Sequence, residues 1–114
     1  MAVDERKVLG NKGEKTAAKY LKKNGWKILE RNYVSPFGEV DIIARKDTTI
    51  AFVEVKTRLS DIFGTPSERV TTDKIRRYRK GADYYFAERE VNCTVRFDII
   101  EVYKKTVNHI ENAF

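Results

Sequence analysis

The chain has little of what builds covalent or metal cross-links: one cysteine, one histidine and two prolines in 114 residues. With Cys93 alone there is no internal disulfide, and with His109 alone no His/Cys zinc cluster. No apolar run approaches the roughly 18 residues of a membrane span, and the opening "MAVDERKVLG" lacks the apolar core of a signal peptide. These absences predict a cytoplasmic protein in a reducing setting, with no membrane partner. Repeats, low-complexity tracts and linker-like stretches are also missing. Residues 1–114 therefore read as a single domain, long enough to bury roughly two-thirds of its unfolded surface.

What the chain does have is charge. Lys and Arg number 23 against 17 Asp and Glu, a net charge of +6. That balance favours an anionic partner such as nucleic acid, although a basic surface also serves solubility alone. The 41% hydrophobic content is that of a folded domain.

The periodicities predict a helix over Lys12–Lys23, capped at Asn11 in "NKGE" and stopped by "NG" at 24–25. "WKILERNY" reads as a strand and "SPFG" as a turn. Two further strands, Val40–Arg45 and Ile50–Lys56, flank "KDTT". Residues 59–73 read as a polar loop. Ile75, Tyr78, Ala82, Tyr85 and Phe86 recur at helical spacing over Asp73–Glu88, and "TVRFDIIEVY" closes as a strand. Helix, three strands, helix, strand implies an α/β domain built on a mixed sheet.

Within the two middle strands, Glu39, Asp41, Glu54 and Lys56 stand among residues that should form the core. Buried charge costs several kcal/mol per ion unless it is compensated. A two-residue loop at Asp47-Thr48 and a four-residue loop give the same register, which sets Asp41 opposite Glu54 and Glu39 opposite Lys56. A three- or five-residue loop would reverse the parity and separate the acids. In the first case two carboxylates about 5 Å apart would repel unless a cation joined them. Mg²⁺ suits that place, taking one or two carboxylates plus water and substrate phosphate oxygens. The same charges could instead lie on a solvated hairpin face, with Glu39 an ordinary partner of Lys56.

Glu14 lies on the inward stripe with Ala17, Ala18 and Leu21, so it could reach the site as ligand or general base. It could equally cap the first turn of its helix. Arg58, Arg69, Lys74, Arg76 and Arg77 are candidate phosphate contacts, with Arg58 on the Glu54–Lys56 face by period two. Lys80 reads as a solvated helix charge, Tyr78, Tyr85 and Phe86 as core, and Arg96 and Asp98 as local structure.

Asp41, twelve intervening residues and then Glu54-Val55-Lys56 resemble the D…(D/E)xK signature of restriction-endonuclease-like nucleases. A wider set is far more specific: "GNKGE", "GWKILERNY", "GEVDIIA", "FVEVKTR", "FGTPSERVTTDKIRR", "RFDIIEV" and "NAF". Together these resemble the YraN-like family of small bacterial proteins, from about Gly10 to Phe114. More distantly the chain is similar to archaeal Holliday junction resolvases, which carry a glutamate on their first helix. The resemblance implies a restriction-endonuclease-like mixed sheet with helices on both faces, and metal-dependent hydrolysis of a phosphodiester. The leading expectation is a Mg²⁺- or Mn²⁺-dependent endonuclease on DNA in preference to RNA, with branched or single-stranded DNA among the candidate substrates. It makes Asp41 and Glu54 the metal carboxylates, the Val55 carbonyl a further ligand and Lys56 the group beside the attacking water. It also favours a site role for Glu14, and a homodimer. Two other functions stay open: a non-catalytic nucleic-acid-binding module on the same fold, and a protein-interaction adaptor acting through Phe63-Gly64.

Overall fold

The computed structural model describes residues 5–58 and 71–114. Its elements are α1 (Glu5–Lys23), β1 (Lys27–Ser35), β2 (Gly38–Lys46), β3 (Thr49–Thr57), α2 (Thr72–Phe86), β4 (Thr94–Tyr103) and β5 (Thr106–Ile110). The strands form one sheet in the order β1-β2-β3-β4-β5, antiparallel throughout except for the β3–β4 pair. Parallel neighbours need a crossover connection, and α2 lies in it. The expected α/β class, a mixed sheet flanked by helices, is the class observed.

The helices cover opposite faces of the sheet. On one, Ala17, Ala18 and Leu21 of α1 pack on Ile42, Ala44, Ala51, Val53, Ile100 and Val102. On the other, Tyr78, Ala82 and Tyr85 of α2 pack on Val40, Ile43, Ile50 and Phe52. Tyr78 and Tyr85 are core residues, as their spacing predicts, and the partly buried Phe86 packs against their cluster. The central strands are covered on both faces, so their sequences run nearly continuously apolar.

Two features depart from expectation, the start of α1 and an additional strand. Helix α1 begins at Glu5, so Asn11 is an interior residue and not a cap. The "GNKG" cluster resembled a start signal because Gly and Asn are weak helix formers. Gly13 answers to packing instead: a Cβ there would overlap Thr57 Oγ1 and stand 3.3 Å from Thr57 Cβ. The glycine lets α1 ride directly on β3, which fixes the height of Glu14, one residue on. Helix α2 starts at Thr72, with the Thr71 hydroxyl accepting the Lys74 N–H at 3.1 Å. Strand β5, "TVNHI", was not expected; it is a short edge strand. Among the described residues no helix is long and apolar enough to cross a membrane.

Candidate active site beside the β2–β3 ladder

Strands β2 and β3 pair in the predicted register, from Lys46↔Thr49 to Ile42↔Val53, around a turn in which Asp47 adopts φ +53°. There the ladder stops. Asp41 does not pair with Glu54, nor Glu39 with Lys56, as uninterrupted alternation required. Val40 packs with the α2-side cluster and Ile42 with the α1-side cluster, although two residues apart they should share a face. Asp41 sits at this change of side. Its Oδ2 accepts the Val55 N–H at 2.8 Å, a bond from side chain to backbone that takes the place of the missing ladder.

The acids meet by this different route. Asp41 is fastened to the amide of Val55, the residue between Glu54 and Lys56. Burial raises the Asp41 pKa to about 6; the Val55 N–H opposes the rise, and the charges of Glu14, Glu54 and Glu39 add to it. Glu54 is buried on the α2 face, its Oε1 paired with the ammonium of Lys74 and, at 3.6 Å, with that of Lys56. Its Oε2 is buried with no hydrogen-bond partner. Burial lowers the Lys56 pKa and the neighbouring Lys74 lowers it further, against the pull of Glu54. From α2, Tyr78 faces the same acids: burial, then the charges of Asp41 and Glu54, push its phenol well up.

Glu14 approaches from the α1 side. Because α1 starts nine residues earlier, at Glu5, a first-turn capping role for Glu14 is excluded. With the Asn32 amide oriented by its partners, its nitrogen donates to Glu14 Oε2 at 2.9 Å and to Glu39 Oε1 at 2.8 Å. Asn32 holds φ +52°, a conformation Asn tolerates better than most residues. Glu39 is thus tied to the Asn32 amide, which it shares with Glu14, and not to Lys56. Burial raises the Glu14 pKa; the Asn32 bond and Arg31 oppose it, and Glu39 adds to it.

The basic residues divide. Arg58 is buried, its Nη2 2.6 Å from Glu101 Oε1, so it holds the sheet rather than facing a phosphate. Lys74, expected on the phosphate-facing surface, reaches in to Glu54. Arg76 and Arg77 are exposed on α2, where such contacts are available. Arg69 and Phe63-Gly64 lie outside the described residues. Sequence reasoning missed Lys74 as the partner of Glu54, Glu101 as the partner of Arg58, and the Asn32 bridge. The parallel register that sets Lys56 beside Glu101 joins segments far apart in the chain, and no local signal marks it.

The donor set suits a hard divalent cation. Carboxylate oxygens are the ligands Mg²⁺ and Mn²⁺ prefer, and a buried carboxylate oxygen without a partner is a group such an ion satisfies. Among the described residues no three His, Cys, Asp or Glu side chains cluster closely enough to enclose a metal by themselves. Asp41 and Glu54 therefore fit the Mg²⁺ pattern of few protein ligands, the rest being water and substrate oxygens.

A profile described as "Uncharacterised protein family UPF0102" matches residues 13–102. A UPF0102 protein from Caldicellulosiruptor saccharolyticus is 47% identical over 116 aligned residues, covering 96% of this chain and 98% of its own. One from Thermodesulfovibrio yellowstonii is 48% identical over 106 residues, covering 93% and 95%. One from Clostridioides difficile is 48% identical over 108 residues, covering 92% and 95%. The matched span contains Glu14, Asp41, Glu54, Lys56 and Lys74.

Proposed function

We propose that this chain, which belongs to the UPF0102 (YraN-like) family, is a Mg²⁺- or Mn²⁺-dependent endonuclease of the restriction-endonuclease-like superfamily, hydrolysing DNA. The observation that carries the reading is the hydrogen bond from the Val55 N–H to Asp41, which fastens one half-buried carboxylate beside Glu54 and Lys56. Desolvated acids next to a lysine of lowered pKa are costly to keep as structure alone and are typical of functional sites.

Asp41 and Glu54 would hold the ion, with the Val55 carbonyl as the further ligand implied by the family likeness. Bound there, the ion supplies an acidified water and charge neutralisation at the phosphate. The chain's own residues do the rest. Lys56, with its lowered pKa, exchanges or donates a proton beside the attacking water. Lys74, withdrawn from Glu54, meets negative charge building on the phosphate. Glu14, held half-buried by Asn32, orients water from the α1 side.

The test is cleavage of plasmid, single-stranded and four-way-junction DNA with Mg²⁺ or Mn²⁺. Glu54→Ala and Lys56→Ala should each lower the rate at least about 100-fold, the scale at which charge stabilisation and general acid–base help act. Variants as active as the wild type would place the activity elsewhere. The Lys74–Glu54 ion pair also favours a second reading, a nuclease fold retained only for binding nucleic acid, with a lysine in the cation's place. Salt-sensitive DNA binding indifferent to EDTA, with no cleavage under either metal, would select it.

A further inference from the structure

From Lys74, α2 runs outward past the β1–β2 turn. There Asp73, Arg76, Arg77 and Lys80 surround Phe37 in a surface hollow. Phe37 is 40% exposed and belongs to neither core cluster. Yet the turn that carries it is braced. The buried Ser35 hydroxyl accepts the Phe37 N–H at 3.1 Å and donates to the Gly38 carbonyl at 3.1 Å. Pro36 restricts its own φ, and Gly38 takes φ +127°, which side-chain-bearing residues avoid. The aliphatic stem of Arg77 lies 3.4 Å from where a Gly38 Cβ would stand. The Lys80 ammonium is 5.2 Å from the Phe37 ring centroid. A second hollow, lined in part by Val34, Tyr84 and Arg89, continues along the same helix. Val34 is 71% and Tyr84 47% exposed.

An exposed ring on a stiff turn, bordered by Arg76, Arg77 and Lys80 with Asp73 paired to Arg77 at 3.5 Å, has the two components of a single-strand nucleic-acid platform: a π-face for a base and net positive charge for the backbone. Charge alone would serve a duplex equally well. The ring would not, since the bases of a duplex are already stacked on one another. Lys80 lies six positions beyond Lys74 on α2, about 9 Å along the axis, a separation that a few nucleotides span.

We propose that the face formed by α2 and the β1–β2 turn binds an unpaired DNA strand, stacking a base on Phe37 and holding phosphates with Arg76, Arg77 and Lys80. Placing that strand on the route to Asp41 and Glu54 rests on the nuclease reading; the binding itself does not. It makes the preferred substrate one with a splayed or single-stranded segment.

Fluorescence anisotropy in EDTA tests it, with a labelled thymidine 20-mer and a duplex of equal length. Phe37→Ala should weaken single-strand binding about 10-fold, the loss of one stacked base, and change duplex binding less than about two-fold. Phe37→Trp should retain single-strand affinity and show fluorescence quenching absent from the wild type. Arg76→Ala should weaken both ligands and flatten the salt dependence. Equal losses on both ligands with Phe37→Ala, or no loss on either, would overturn the platform. Because EDTA blocks cleavage, the two proposals fail separately. Phe37-dependent binding without any metal-stimulated cleavage sinks only the nuclease, while Glu54-dependent cleavage with unchanged Phe37→Ala binding sinks only the platform.

Discussion

Two aspartates on this sheet are treated in opposite ways. Asp98 on β4 is completely buried and fully served. Arg96 meets it through a fork, Nε to Oδ1 and Nη2 to Oδ2, each at 2.9 Å. His109 Nε2 lies 2.8 Å from Oδ2, and the Asn112 N–H donates to Oδ1 at 2.9 Å. With Nε2 carrying the ring proton, Nδ1 accepts from the Tyr20 hydroxyl at 3.3 Å, which ties α1 to β5. Burial pushes the Asp98 pKa up, but bonds from His109, Arg96 and the Asn112 N–H outweigh it, and the carboxyl ends below its ordinary value. Asp41 receives the one backbone bond from Val55, sits among other acids and is driven up to about 6. One site satisfies its charge inside the protein. The other leaves it uncompensated among neighbouring acids, a difference that burial alone does not reveal; under the proposed metal reading a divalent cation would supply the missing charge.

The largest expected effect breaks the comparison at its structural side. Asp98→Ala leaves Arg96 and His109 facing a void, and should cost about 3–5 kcal/mol, the usual penalty for removing one partner of a buried charged network. Asp41→Ala should cost less than about 1 kcal/mol, because the charge it removes is itself unfavourable. Urea unfolding at pH 7.5 measures both. Comparable losses at the two positions would mean that Asp41 is structural after all.

A smaller effect lies in the pH dependence. A carboxyl whose folded pKa is raised favours the protonated fold, so its contribution to stability is present below pH 4 and lost as pH rises through about 6. Asp98, with a lowered pKa, contributes above the ordinary aspartate value and fails only as pH falls below it. In EDTA the wild type should therefore lose about 1–2 kcal/mol between pH 4.5 and 7.5 from Asp41, allowing for its partial exposure to water. Asp41→Asn keeps the acceptor for Val55 and should abolish that loss. Adding Mn²⁺ should raise the wild-type Tm more at pH 7.5 than at pH 5.5, since the ion needs the ionised carboxylate, and should leave Asp41→Asn unmoved. Mn²⁺ acting equally on both proteins would place the ion elsewhere.

Much of this was legible in the chain, for identifiable reasons. A two-residue turn determines a hairpin register, so Ile42↔Val53 followed from spacing. The approach of Asp41 to Glu54 followed too, but by the wrong geometry. Alternation assumes that backbone bonds only to backbone, and Asp41 broke the pattern by binding the Val55 N–H with its side chain. The start of α1 was misplaced because Gly13, read as a weak helix former at a boundary, is a packing glycine against Thr57. Arg58 followed period two on to the Glu54 face as expected. Its burial against Glu101 depends on the parallel β3–β4 register, which no local pattern encodes. The pairing of Lys74 with Glu54 is hidden for the same reason: a helix surface shows which residues share a face, not which of them the sheet beneath will capture.

Lys74 gives the smallest effect and the sharpest one. Its ammonium rests on Glu54 Oε1 while Oε2 of the same carboxylate has no partner, so under the proposed metal reading the lysine would stand in for part of the cation's charge and compete with it. Lys74→Gln should remove that competitor and tighten Mn²⁺ binding several-fold by calorimetry, with only a modest loss of stability, because the glutamine amide still donates to the buried Glu54 and Lys56 stays 3.6 Å from its Oε1. If the lysine only balances charge in the resting protein, cleavage should rise with metal affinity. If it moves to the phosphate once the ion has taken Glu54, cleavage should fall about 10-fold or more while metal binds more tightly, a split that loss of fold cannot produce. Weaker metal binding in Lys74→Gln would contradict both, and would mean that the ion pair holds Glu54 in its metal-binding pose rather than opposing the ion.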